Sequence, residues 1–64
     1  MDEFFVVEPG SVWACSEGKQ FLVLGLANEH NDMPVMVIYQ EKKKPGLCCS
    51  PFDDWIHAMA KVED

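Results

Sequence analysis

Two dense apolar segments, residues 20–27 and 34–40, constrain the fold of this chain more than any other feature. Each has the length of a β-strand and is rich in leucine, β-branched or aromatic residues. The second is followed by a lysine-rich turn, another short apolar segment and the Pro51-Phe52 corner. Within 64 residues this order predicts a small curled β-sheet, of mainly all-β class.

The middle of segment 20–27 carries a glycine where a regular strand would carry a side chain. Glycine inside a strand often marks a bulge, so we expect a bulge or sharp bend at Gly25. Successive side chains of a regular strand point to opposite faces, so both faces of this segment would be apolar. We therefore expect the strand to be covered on both sides, or bent. The predicted faces are Leu22, Leu24 and Leu26 on one side, and Phe21, Val23 and Ala27 on the other.

The remaining chain completes a single domain spanning residues 1–64. Residues 12–15 and 47–49 fit two further strands, and residues 1–8 fit an N-terminal strand or arm. Ser50 can cap a short helical turn near residues 51–55, with Pro51 at its first position. Residues 55–62 permit helix or strand, and their alternation favours a closing strand after the helical turn.

The small size of the chain makes its apolar content informative. A 64-residue domain buries only about 60% of the surface that its unfolded chain exposes, so its core is marginal. Hydrophobic residues nevertheless make up 48% of the sequence. Either the core is well filled, or some apolar surface is reserved for a partner.

The charge pattern excludes some classes of partner. The formal net charge is −6, from eleven acidic and five basic residues, and all five basic residues are lysines. Because arginine is absent and the chain is acidic, we expect no direct nucleic-acid binding and no binding to anionic membranes. The acidic surface either serves solubility or attracts a protein partner with a basic surface.

Cysteine usage and the first residues indicate a cytoplasmic protein. Cys15, Cys48 and Cys49 form neither a disulfide framework nor a CxxC site. The chain begins Met1-Asp2-Glu3, which is acidic where a signal peptide is basic. No apolar run reaches the length of a membrane span. We therefore expect reduced thiols, a cytoplasmic location, and no cofactor.

Two groups of residues are candidates for binding. The first is an aromatic patch with adjacent acids, predicted to contact a protein partner: Trp13, Tyr39, Phe52, Asp53, Asp54 and Trp55. These aromatic residues can equally form the core. The second group, Lys42, Lys43 and Lys44, can contact the phosphates of a small molecule or nucleotide, although solvated lysines at a loop tip are the simpler interpretation.

Catalytic and metal sites receive little support from the sequence. Asp53 and Asp54 lie near His57, but adjacent residues in a helical turn diverge, so capping and solvation explain them better. A metal site there would need a distant ligand such as His30, and we expect none. Strand alternation predicts that one of Cys48 and Cys49 is buried and the other exposed. We expect no enzymatic activity.

Several short motifs together resemble a known family. They are Pro9-Gly10, the run from Gly18 to Ala27, the segment 35–39, Pro45-Gly46-Leu47 and Pro51-Phe52. Over residues 9–57 this pattern resembles the DUF1653 family of small bacterial domains of unknown function. The resemblance implies a five-stranded SH3-like barrel and supplies no activity. The family tends to carry Trp-Val-Arg-Pro before its closing turn, where this chain has Cys48-Cys49-Ser50-Pro51.

The sequence as a whole predicts a small, acidic, non-enzymatic binding module. Its partner would be a protein, in the manner of an accessory or inhibitory protein of a bacterium or phage. A homodimer is also compatible, since strand edges can pair. The alternative is a small-molecule or nucleotide-binding protein with a pocket on the barrel.

Overall fold

A computed structural model describes residues 7–62, and these residues fold into one five-stranded sheet and one helix. The elements in chain order are β1 Val12–Ala14, β2 Gln20–Ala27, β3 Met36–Glu41, β4 Cys48–Pro51, α1 Phe52–Ala58 and β5 Ala60–Lys61. All paired strands are antiparallel, in the spatial order β4-β3-β2-β1-β5. The expectation of a mainly β fold is confirmed, and within residues 7–62 the sheet is open between β4 and β5.

Tight turns set the register of the first hairpin. Gly18 has a φ of +87°, which glycine adopts without steric cost. Its amide donates to the carbonyl oxygen of Cys15 (2.9 Å). The amide of Cys15 donates in turn to the carbonyl oxygen of Lys19 (3.0 Å). These bonds close the β1–β2 hairpin, and the predicted limits of β2 are confirmed.

The bulge in β2 is at the predicted position, and it changes which side chains share a face. The β2–β3 register shifts between Val23 and Gly25. Val23 is buried, Leu24 is exposed, and Leu26 packs on the core beyond the shift. The prediction that Leu22, Leu24 and Leu26 share one face is wrong, because the extra residue reverses the alternation.

The segment after β4 differs from its prediction. Helix α1 spans Phe52–Ala58, so residues 55–58 are helical and the closing strand is only Ala60–Lys61. The N-cap residue is Pro51 and no side chain caps the helix, so the capping role predicted for Ser50 is wrong. The amide of Phe52 instead donates to the carbonyl oxygen of Val35 (2.9 Å), which ties the start of the helix to the segment before β3.

The core lies between the helix and one face of the sheet. Its buried side chains are Val7, Trp13, Val23, Val37, Phe52 and Trp55. Val7 is 1% exposed, so the chain before β1 contributes to the core at this residue. The predicted strand or arm at residues 1–8 otherwise lies mostly outside the described residues.

Candidate functional site

The aromatic residues predicted to meet a partner lie mostly in the core. Trp55 is 1% exposed, and Trp13 and Phe52 are each 5% exposed. Tyr39 is partly buried and packs against the same cluster. The expectation of an exposed aromatic patch around Trp55 is wrong, because α1 turns Phe52 and Trp55 inward against the sheet. A partner cannot reach the rings of Trp13, Phe52 and Trp55 in this structure.

The rings pack against one another at the centre of the domain. Trp55 lies 4.6 Å from Tyr39, 6.0 Å from Trp13 and 6.3 Å from Phe21, measured between ring centroids. The contacts with Trp13 and Phe21 have edge-to-face geometry, which is favourable for aromatic pairs. This aromatic cluster (Trp13, Phe21, Tyr39 and Trp55) therefore serves to join the helix to the sheet.

The polar atoms of the aromatic cluster differ in their partners. The Nε1 of Trp13 donates to the hydroxyl oxygen of Ser11 at 3.0 Å. The hydroxyl groups of Tyr39 and Ser50 lie 3.2 Å apart, which links β3 to β4. The Nε1 of Trp55 is buried without a hydrogen-bond partner among the described residues. Such a group costs about 1–3 kcal/mol of desolvation, which the packing of the large ring must offset.

Exposed carboxylates gather at one end of the sheet. Asp53 and Asp54 lie in the first turn of α1, and Glu29 and Asp32 lie in the loop between β2 and β3. The bond from Phe52 to Val35 brings the start of the helix beside the end of that loop. We call Glu29, Asp32, Asp53 and Asp54 the acidic end.

Side-chain hydrogen bonds order the loop that carries half of the acidic end. The Nδ2 of Asn28 donates to the carbonyl oxygen of Pro34 (3.0 Å), and the Nδ2 of Asn31 donates to the Oδ1 of Asn28 (3.1 Å). The amide of Met33 donates to the Oδ1 of Asn31 (2.8 Å). These bonds hold Met33 with its side chain 61% exposed, so the acidic end also presents one large apolar group.

Lysines gather at the opposite end. Lys19 lies in the β1–β2 turn, and Lys42, Lys43 and Lys44 lie in the β3–β4 turn. The amide of Lys42 donates to the carbonyl oxygen of Gln20 (3.0 Å), which holds the two turns side by side. We call Lys19, Lys42, Lys43 and Lys44 the lysine end.

The lysine end borders a cleft of about 570 Å³. Its lining comprises Gly18, Lys19, Gln20, Leu22, Gln40, Glu41, Lys42 and Lys43. Lys44 does not line the cleft, and its Nζ lies 3.9 Å from the carboxylate of Glu41. The Nζ of Lys19 lies 3.8 Å from the carboxylate of Glu17, so two acids partly offset the charge of this end.

The side chains of Asp53, Asp54 and His57 share no hydrogen bond or ion pair with one another in the described part of the chain. The Nδ1 of His57 lies 2.7 Å from the backbone carbonyl oxygen of Asp53, rather than beside a carboxylate. Asp53, Asp54 and His57 are all exposed to solvent. No group of three or more side chains within residues 7–62 has the arrangement of a metal site, and His30 lies in the β2–β3 loop.

The cysteines are free thiols, and two of them occupy an edge strand. Cys48 and Cys49 are both exposed, while Cys15 is partly buried. The prediction that one of the adjacent pair is buried is wrong. Among the described strands, β4 pairs only with β3, and both cysteines of this edge strand are exposed.

Three members of the charged surfaces were not predicted from the sequence: Lys19, Glu29 and Asp32. The signal was the separation of charge along the chain: no lysine occurs in residues 20–41 or 45–60. Antiparallel strands then bring the turns with lysines to one end and the four carboxylates of the acidic end to the other, while Glu17 and Glu41 lie beside lysines.

Comparison with known proteins gives no relatives: no protein-family model, curated protein or solved structure matches this chain. Within residues 7–62, no helix has both the length and the apolar character needed to cross a bilayer.

Proposed function

We propose that this chain is a small, non-enzymatic protein-binding domain that works in the cytoplasm and presents its acidic end to a basic partner surface. The observation that carries the proposal is the segregation of exposed charge. Glu29, Asp32, Asp53 and Asp54 face solvent at one end, and no lysine lies in the loop or helix that carries them.

The distance between the two ends keeps their charges independent. Strand β2 has eight residues and rises about 3.3 Å per residue, so the ends lie roughly 20 Å apart. This exceeds the screening length of about 8 Å at physiological ionic strength. The lysine end therefore does not neutralise the acidic end, which can steer a basic partner toward it.

Strand order supports an SH3-like form of the fold. Strand β1 pairs with both β2 and β5, and helix α1 lies between β4 and β5 in the chain. The bulge at Gly25 increases the local bend of β2, as strands of small barrels require. We propose a partly open SH3-like barrel of the kind that the resemblance to the DUF1653 family implies.

Partner capture with charge-neutralised variants tests the proposed function. The domain is tagged and used to recover proteins from a bacterial lysate at low and high salt. We expect basic proteins to be retained at low salt by the wild type and lost with E29Q/D32N/D53N/D54N. Retention of the same proteins by this variant would contradict the proposal.

A matched variant at the other end controls for the change in net charge. K19Q/K42Q/K43Q leaves the acidic end intact and makes the whole domain more negative. We expect it to retain the partners that the wild type retains. Thermal unfolding of each variant establishes that the folded domain is compared in every case.

The cleft at the lysine end favours a second candidate function, which is binding of a phosphate-bearing small molecule or nucleotide. Lys19, Lys42 and Lys43 border one concave surface, and ammonium groups bind phosphates as point charges. A thermal-shift series with inorganic phosphate, pyrophosphate and nucleotides tests this. A rise in Tm with wild type but not with K19Q/K42Q/K43Q supports it. No rise at millimolar ligand contradicts it.

A further inference from the structure

Within residues 7–62, strand β4 leaves one edge of the sheet unpaired. It is the first strand in the spatial order, and no described strand pairs with its outer side. Its sequence Cys48-Cys49-Ser50-Pro51 contains no charge, and three of these four residues are exposed. Leu47, immediately before it, is 68% exposed. Uncharged open edges of this kind are templates for pairing with another strand.

The backbone groups that point outward can be assigned from the ladder with β3. The amide of Phe52 donates to Val35, and the register pairs Ser50 with Val37 and Cys49 with Ile38. Hydrogen-bonded pairs alternate along an antiparallel ladder, so Ser50 bonds to β3 and Cys49 does not. The N–H and C=O of Cys49 therefore face away from the sheet. The backbone of Pro51 also faces away from β3, so its missing N–H removes no hydrogen bond from the β3–β4 ladder.

Charges of opposite sign flank this edge. Lys42, Lys43 and Lys44 precede β4, and Asp53 and Asp54 follow it. An antiparallel neighbour of the same sequence would place its acids beside these lysines and its lysines beside these acids. A parallel neighbour would place like charges together. The edge is thus complementary to a second copy of itself in one orientation only.

We propose that the outer edge of β4 is a self-association surface, through which two copies pair antiparallel about a two-fold axis at Cys49. The two Cys49 residues exchange a pair of backbone hydrogen bonds. The amide of each Leu47 donates to the carbonyl oxygen of Pro51 in the other copy, which gives four bonds in all. The resulting sheet is continuous across the two copies.

A second copy is the occupant that the charges favour. In a two-fold dimer the same surface of each copy forms the interface. The lysines of each copy therefore meet the acids of the other, which gives two equivalent charged contacts. The edge offers few hydrogen bonds and a small contact area. We therefore expect a weak, salt-sensitive dimer whose buried interface area is at the low end for specific complexes. Lysines in the β3–β4 turn do not block this pairing, since they lie outside β4 and meet carboxylates.

A charge-swap mixing experiment tests the proposal. In K43E/K44E, the new glutamates face Asp53 and Asp54 of the other copy. In D53K/D54K, the new lysines face Lys43 and Lys44. We expect each variant alone to have a dimer dissociation constant raised about tenfold or more, which corresponds to about 1.4 kcal/mol. An equimolar mixture restores both charged contacts, so we expect heterodimers at wild-type strength in sedimentation equilibrium.

Several outcomes would overturn the proposal. One is a wild type that stays monomeric up to about 0.5 mM at low salt, where even weak specific pairs are populated. Another is a mixture that associates no better than the separate variants. The turn variant K43E/K44E keeps the helix sequence intact, so it remains informative if D53K/D54K does not fold.

Cysteine cross-linking gives an independent measurement of the register. Directly opposite residues of a hydrogen-bonded pair have Cα atoms about 5.5 Å apart, within the range of a disulfide. Under mild oxidation, we expect C15S/C48S, which retains Cys49, to form covalent dimers faster than C15S/C49S, which retains Cys48. Equal rates would contradict a two-fold axis at Cys49.

This inference and the proposed function fail separately. Glu29 and Asp32 do not take part in the dimer, and K43E/K44E leaves the acidic end unchanged. A variant that remains monomeric and still retains basic partners would support the proposed function alone.

Discussion

The aromatic cluster and the two charged ends differ in their exposure to solvent. Trp55 and Trp13 are at most 5% exposed and contact each other across the interface of helix and sheet. The acids and lysines are exposed and separated by the length of β2. In so small a core the large rings are needed for stability, and under the proposed function the exposed charges make the contact with a partner.

The largest expected effect comes from removing the ring at the centre of the aromatic cluster. Trp55→Ala deletes contacts with three other rings, and such a substitution costs about 3–5 kcal/mol. The whole stability of a domain of this size is about 3–10 kcal/mol. We expect the variant to be largely unfolded at 37 °C by circular dichroism.

Met33→Ala is the matched control for that substitution. Met33 is large and apolar but 61% exposed, so its removal leaves no cavity. We expect a change in unfolding free energy within about 0.5 kcal/mol. Similar destabilisation by the two variants would show that the burial of Trp55 does not distinguish it from a surface residue.

A smaller effect is expected where the aromatic cluster meets the edge strand. Tyr39→Phe keeps the ring but removes the hydroxyl group that pairs with Ser50 at 3.2 Å. We expect a loss of about 0.5–1.5 kcal/mol, measured by chemical denaturation. In the S50A background the same change should cost less, because the partner is already absent. An equal cost in both backgrounds would rule out the bond as the cause.

A modest effect on stability is also expected at the acidic end. Asp53→Asn with Asp54→Asn removes two charges from the first turn of α1, where carboxylates stabilise a helix by about 0.3–1 kcal/mol each. We expect a fall of no more than about 2 kcal/mol in unfolding free energy, together with weaker partner capture. A larger loss would show that these residues are structural.

Local patterns predicted part of the fold. The limits of β2 follow from its apolar run between turn residues, and the bulge follows from the single glycine inside it. The direction of the β2 side chains beyond Gly25 could not be predicted in this way. One extra residue in the bulge moves every later side chain to the opposite face of the sheet. The helix Phe52–Ala58 was only partly predicted, since its start depends on a hydrogen bond to the distant Val35.

The candidate site was harder to predict than the fold. Asp53 and Asp54 are exposed as expected of a contact surface, but Trp13, Phe52 and Trp55 are not. The sequence alone does not show whether an aromatic side chain points to the core or to solvent. That depends on how the helix or strand that carries it packs in the fold. Glu29 and Asp32 became members of the acidic end only through the antiparallel order of strands separated in sequence.

Tryptophan fluorescence tests most directly the claim that the aromatic cluster is core. The chain has two tryptophans, Trp13 and Trp55, so the whole signal reports on this cluster. We predict short-wavelength emission that acrylamide quenches weakly in the folded domain, with a red shift and strong quenching on unfolding. Long-wavelength, readily quenched emission from the folded domain would contradict the account and restore an exposed aromatic surface.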